Sequence, residues 1–213
     1  MKLYSFFRSS AAYRVRIALS LKGLPYEYEP VNLLLDGGEQ HQPAYAELNK
    51  QRLVPTLVDG PTVLSQSLAI IEYLEEAYPD TYRLLPASAA DRARARALAL
   101  LVGCEIHPLN NLRVMQYLSH DMSASREHRR AWYAHWIQTG FESFEEMIAP
   151  TAGEFCLGDE PGLAECFLIP QVFNALSFKV DISRYKNIVR IYEHCQTQPA
   201  FIQASPAAQP DAE

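Results

Sequence analysis

The feature that most limits how this chain can fold is a change of pattern near residue 82. Before it, short strand-like and helix-like segments alternate; beyond "YPDTYRLLP" (residues 78–86) only helical patterns remain. "KLYSF" opens as a strand. Val15, Ala18 and Leu19 then recur at helical spacing from Tyr13 to Lys22, with Gly23 as the stop. "YEYEPVNL" reads as a second strand, and Pro30, which has no amide to donate, restricts it to a sheet edge. "VPTLVDGPTVL" predicts two strands joined at Asp59-Gly60. A helix follows from about Ser65 to Tyr78, with Ile70, Ile71, Leu74 and Ala77 on its apolar face and Pro79 as its stop. The order is βαβ, an irregular or helical piece, then ββα. The expected fold class is an α/β domain over residues 1–82 followed by an all-α domain over 87–213.

Residues 87–120, Ala- and Leu-rich with an interruption at Pro108, and residues 126–149, with aromatic and apolar residues at steps of three and four, supply the long helices. In 213 residues that are 48% hydrophobic there is ample material for a core, and no fixed-period repeat is present. The net charge of −6 and the lack of a long basic stretch exclude a nucleic-acid binder. Arg92, Arg94 and Arg96 are spaced by two, which spreads them around a helix as a solvated surface. No apolar run approaches the roughly 18 residues of a membrane span, and no signal peptide is evident, so the expected location is the cytoplasm. Cys104, Cys156, Cys166 and Cys195 are widely spaced and are expected to be buried, reduced thiols. Cys104 and His107 lack a second ligand pair, so no metal site is expected. The segment "ASPAAQPDAE" is expected to be loosely ordered.

The chemistry concentrates in "FFRSSAAYRVRIALSLKG" (residues 6–23), where Ser9 and Ser10 stand between arginines just before a helix. The first turn of a helix has unpaired amides and the positive end of the dipole, which stabilise an anion and shift a nearby thiol toward thiolate. Ordinary helix capping by serine uses the same geometry. "RSSAAYRVRIAL" resembles the signature of the zeta-class glutathione transferases. Further matches lie in "LVPTL", "QSLAIIEYLEE", "GDE" at 158–160, "IPQVFNA" and "FKVD", while "GCEIHPLNN" and the last residues are similar to the bacterial isomerases of that class.

The resemblance implies a thioredoxin-like first domain, glutathione as cofactor, and a homodimer. It implies glutathione-dependent cis-trans isomerisation of maleylacetoacetate or maleylpyruvate, through reversible thiolate addition to a conjugated double bond. Conjugation or dehalogenation of small α-halo acids is the alternative in the same site, and a non-catalytic glutathione-fold binding protein is the alternative of another class. Carried over residue by residue, Ser9 is the main donor to the glutathione sulfur, with Ser10 beside it. Gln66 and Ser67 hold the γ-glutamyl carboxylate at a helix start, and Val54-Pro55 is the family's cis step, pairing with the cysteinyl backbone. Gln40, His107 and Asn111 match peptide-binding positions; packing and capping near Pro108 would equally account for the last two. Arg8 is the candidate clamp for a substrate carboxylate, because its planar fork makes paired charge-assisted bonds, and a surface ion pair is its other reading.

The chain departs from the family pattern in three ways. Ala11 replaces a cysteine. Ser177 stands where the isomerases present an arginine, so either Arg113, expected on one helix with Asn110, supplies part of that charge at the substrate site, or the natural substrate has fewer carboxylates than the maleyl keto acids. Gly162 and Glu165 replace a Ser/Thr-x-x-Asp capping box, which predicts a weaker cap. Of Arg14 and Arg16, inside the first helix, one is expected to support the fold through a buried or interdomain pairing, and neither is assigned to catalysis.

Overall fold

The computed structural model describes residues 1–212, Asp36 as backbone only. The chain divides into two units: Met1–Leu84 together with the residues from Gln196 onward, and Leu85–Cys195. The closing residues thus belong with the first unit, whereas the pattern change alone assigns everything after 87 to the helical one.

In the first unit β1 (Lys2–Ser5), α1 (Ser10–Leu21) and β2 (Glu27–Pro30) form the βαβ element, and β3 (Thr56–Asp59), β4 (Thr62–Ser65) and α3 (Ser67–Ala77) the ββα element. Between them lie two single 3-10 turns, Leu35–Gly37 and Glu39–His41, and the short α2 (Pro43–Leu48). The sheet order is β2-β1-β3-β4. β1 and β2 are parallel, with Leu3 opposite Tyr28, and β1 and β3 antiparallel, with Leu3 opposite Leu57. Pro30 accordingly ends an edge strand, where its missing amide costs no ladder bond. The hairpin loop is Gly60-Pro61, one residue later than the Asp59-Gly60 reading, because Asp59 is still paired with Thr62. Gly60 takes φ 56°, the left-handed value that a tight hairpin needs at its first loop position. Leu3, Val15, Ala18, Leu19, Leu57, Ile70, Ile71 and Leu74 form the core. Ala77, expected on that face, is exposed, since α3 ends there before Pro79.

The second unit holds α4 (Ala89–Leu100), α5 (Leu112–His120), α6 (Arg126–Ile148), α7 (Leu163–Ser177) and α8 (Lys186–Cys195). Every residue of α7 from Leu163 to Val172 is buried, which makes it the central helix of the unit. Gly162 caps it without a side chain, as expected, and Glu165 supplies the other half of the box. Its buried carboxylate accepts from Gly162 N at 2.7 Å and from Cys156 N at 2.8 Å, and burial raises its pKa. Three cysteines are buried; Cys104 is exposed, contrary to expectation. Arg94 pairs with Asp91 at 2.6 Å on the solvated side of α4. Among the described residues no helix is long and apolar enough to cross a membrane.

After Leu100 the helix widens into a π turn, Leu101–Ile106, and then tightens into a 3-10 turn, His107–Asn110, where Pro108 removes an amide. Ile106 packs over Gly140 of α6, and a Cβ on Gly140 would overlap its side chain.

Of the segment expected to be loosely ordered, residues 204–212 take defined positions, against that expectation, and Glu213 lies outside the described residues. α9 (Pro199–Ala204) packs on α1, and a 3-10 turn covers Pro206–Ala208. Gln209 is buried and its Nε2 donates to Gln203 O at 3.0 Å and Ser205 O at 2.8 Å. The composition suggested mobility because the few residues that anchor the segment are polar and find their partners only in the folded chain.

The Ile106 contact gives a direct test. Gly140→Ala should lower stability by about 1–3 kcal/mol through overpacking, read as a shift in the denaturation midpoint with unchanged slope.

Candidate active site

Strand β1 delivers the chain to a tight loop, Phe6 to Ser9, from which α1 departs. Ser9 is the N-cap: its backbone is extended (φ −69°, ψ 114°) and its Oγ accepts from Ala12 N at 3.2 Å. The capping role is therefore realised. It uses a lone pair and leaves the hydroxyl proton to be donated. Ser9 N donates to Phe6 O at 2.9 Å, closing the loop. Ser10 is the first helical residue and is buried, whereas Arg8 is exposed.

Arg14 and Arg16 both lie buried in α1 and both serve the first unit. Arg16 Nε donates to Ala204 O at 2.9 Å, Nη1 to Ser5 Oγ at 3.1 Å and Phe6 O at 3.4 Å, and Nη2 to Phe7 O at 3.0 Å. Burial lowers its pKa, but a guanidinium stays charged in proteins. Arg14 Nη1 donates to Ser67 Oγ at 3.1 Å. That bond links the helix that begins at Ser9 and Ser10 to the start of α3, a connection that sequence spacing gives no sign of.

Gln66 caps α3 with φ 72°, a left-handed backbone rare outside glycine, and its Nε2 donates to Gln51 Oε1 at 2.8 Å. Ser67 is buried behind it. Gln51 is a residue that the sequence reading missed. Val54-Pro55 is cis, as the resemblance implied. The carbonyl just before it, Leu53 O, accepts from Tyr45 Oη at 2.7 Å and Asn49 Nδ2 at 2.8 Å, and both side chains also bond Thr56 Oγ1. α2 thereby fixes the loop from both ends. Gln40 is buried, Gly38 makes room for its side chain, and its Oε1 has no hydrogen-bond partner among the described residues.

In the second unit His107 and Asn111 are brought together, with Asn111 Nδ2 and His107 Nε2 3.4 Å apart. Asn111 is also the N-cap of α5, its Oδ1 accepting from Arg113 N at 3.2 Å. Arg113 is exposed on α5, but Asn110 is not on that helix. It sits buried in the preceding 3-10 turn and donates to Tyr133 O at 3.1 Å, because Pro108 breaks the helix earlier. Ser177 ends α7, exposed, and its Oγ donates to Phe173 O at 2.8 Å. Its proton is thus committed to the backbone. Among the described residues no group of three or more His, Cys, Asp or Glu could hold a metal ion. A cavity of about 550 Å³ in the first unit is lined by Arg16, Leu19, Tyr26, Tyr28, Ala204 and Gln209, and none of Ser9, Ser10, Gln40, Gln66 or Ser67 lines it.

Residues 3–82 match the glutathione S-transferase N-terminal domain, and the chain belongs to the zeta class of the glutathione transferases. It is 49% identical to a maleylpyruvate isomerase of a Ralstonia species, with 100% of each chain covered. A holo structure of maleyl pyruvate isomerase, a bacterial zeta-class enzyme, superposes with a TM-score of 0.95 at 47% identity, covering 100% of both chains. A maleylacetoacetate isomerase of Methylobacterium extorquens AM1, with bound malonate and glutathione, gives 0.93 at 38% identity over 100% of both.

Tyr45→Phe should destabilise the protein by about 1–3 kcal/mol, because Leu53 O and Thr56 Oγ1 each lose a buried partner. Equilibrium denaturation measures the loss, and an unchanged midpoint would show that the phenol anchors nothing.

Proposed function

We propose that this protein is a glutathione-dependent cis-trans isomerase acting on maleylpyruvate or maleylacetoacetate. The observation that carries the reading is the Ser9 cap, a hydroxyl at the positive end of α1 whose proton remains available, in a chain that shares its full length with isomerases of both names. Glutathione suits the residues of the first unit. The buried Gln40 Oε1, without a hydrogen-bond partner among the described residues, is an acceptor for a peptide amide, and the Gln66-Ser67 helix start offers donors to a carboxylate. When bound, glutathione supplies a thiolate that adds reversibly to the conjugated double bond, making rotation about it fast.

The chain's own residues have three tasks. Ser9, with Ser10 beside it, donates to the sulfur and so favours its ionised form. Ser67 donates to the γ-glutamyl carboxylate, Gln66 beside it, while the Val54 backbone pairs with the cysteinyl unit next to Pro55. Arg8, and in the second unit Arg113, hold substrate carboxylates, and His107 and Asn111 complete the peptide contacts. A homodimer and a cytoplasmic location complete the reading, both by family analogy.

Ser177 favours a second reading. Its hydroxyl, already donated to Phe173 O, cannot replace an arginine, which suits substrates with fewer carboxylates, such as small α-halo acids. Product analysis separates the two. Isomerisation leaves the glutathione concentration unchanged, whereas conjugation consumes it and dehalogenation releases halide. Failure to bind glutathione at millimolar concentration would instead favour a non-catalytic protein.

Ser9→Ala should raise the pH at which bound glutathione ionises and move the pH-rate profile upward with it. A superimposable profile would transfer the role to Ser10 or a backbone amide. If diacids are native substrates, Arg113→Ala should weaken them by roughly tenfold to more than a hundredfold, the worth of a charge-assisted contact, and Ser177→Arg should tighten or tolerate them. Efficient diacid turnover indifferent to Arg113 would remove that residue from the site.

A further inference from the structure

We propose that Asp211 is a positioning residue for the loop that carries Ser9, acting through the Phe7 amide; the inference rests on the reading of that loop as the sulfur's hydrogen-bond donor. Asp211 Oδ2 accepts from Phe7 N at 3.1 Å, and its Oδ1 accepts from Tyr28 Oη at 2.6 Å. One carboxylate thus ties the loop after β1 to strand β2, across a separation of 204 residues from Phe7. On the carbonyl side, Arg16 donates to Phe6 O and Phe7 O. The Phe7 residue is therefore gripped at both its N–H and its C=O. Ser9, two residues on, turns back onto Phe6 O at 2.9 Å, so the direction of its hydroxyl follows from this grip.

Asp211 is itself held in place. Gln209 is anchored to Gln203 O and Ser205 O, and Ala212 N donates to Gln209 O at 3.0 Å. Burial and the neighbouring carboxylate both make the Tyr28 phenol keep its proton, which maintains it as a donor to Asp211. The acceptor that the Phe7 amide finds lies 204 residues away in the chain. Without Asp211 the loop would exchange that bond for water and its hydroxyl would lose a fixed aim, and preorganised donors are worth more than mobile ones.

Geometry and charge predict opposite signs. Removing a nearby negative charge favours a thiolate, so a purely electrostatic role means that Asp211→Ala and Asp211→Asn both lower the pH of glutathione ionisation. A positioning role means that Asp211→Ala raises it, while Asp211→Asn, which keeps an acceptor oxygen for Phe7, recovers most of the loss. The test titrates the thiolate ultraviolet absorbance of glutathione bound to the full chain, for both variants and Ser9→Ala, and follows amide exchange in the segment from Phe6 to Ala12. Expected in Asp211→Ala are a raised midpoint, faster exchange at Phe7 and turnover about tenfold lower, the lower end of what a charge-assisted bond is worth. A midpoint at or below the wild-type value, or unchanged exchange at Phe7, overturns the proposal. If Asp211→Ala raises the midpoint and Ser9→Ala does not, the positioning role stands and the Ser9 assignment fails, because another donor on the loop then meets the sulfur.

Discussion

The first unit depends on how the charge of Arg16 is buried. A fully enclosed guanidinium costs several kcal/mol unless every donor finds an acceptor of the right geometry. Here the acceptors are three backbone carbonyls and one hydroxyl, drawn from the end of β1, the loop that follows it, and Ala204. Arg16 therefore fixes the exit of the chain from the sheet, and with it the entry of α1. The same bonds recruit residues almost two hundred positions away into the first unit.

Arg14 extends that logic along the same helix. Bonded to Ser67 Oγ, it couples the helix start at Ser9 to the helix start at Ser67. Two positive helix ends, each with a serine hydroxyl, are thus held by one rigid element, and the strained backbone at Gln66 is kept in place by its bond to Gln51. Strain at such a position persists only where surrounding contacts over-determine it. The second unit uses a different device. The π turn before His107 and the glycine gap at 140 let Ile106 lock α6 against the interrupted helix, which sets the register of His107 and Asn111.

Much of this was legible in the chain. The change of periodicity near residue 82, Pro30 at a sheet edge, Gly23 after α1, and Ser9 before it are local signals, and local signals survive without knowledge of the fold. The resemblance extended them to glutathione and to the Val54-Pro55 step. Less legible were the ends of elements. Ala77 fell outside the buried face, the hairpin loop lay one residue later than the turn signal, and Asn110 stood before α5 because Pro108 divides the segment.

The sequence by itself determined the order of the elements, the family and the residue types at the two helix starts, since these follow from short-range pattern and from motifs shared with relatives. Only the tertiary structure decided that Arg16 joins the carbonyls of Phe6 and Phe7 to that of Ala204, that Arg14 reaches Ser67, that Ser177 spends its hydroxyl on its own helix, and that Asp211 meets Phe7 and Tyr28. Each of those outcomes is a polar side chain choosing among many possible partners. The choice depends on burial and on which backbone groups the finished fold leaves unpaired, and no spacing along the chain encodes either.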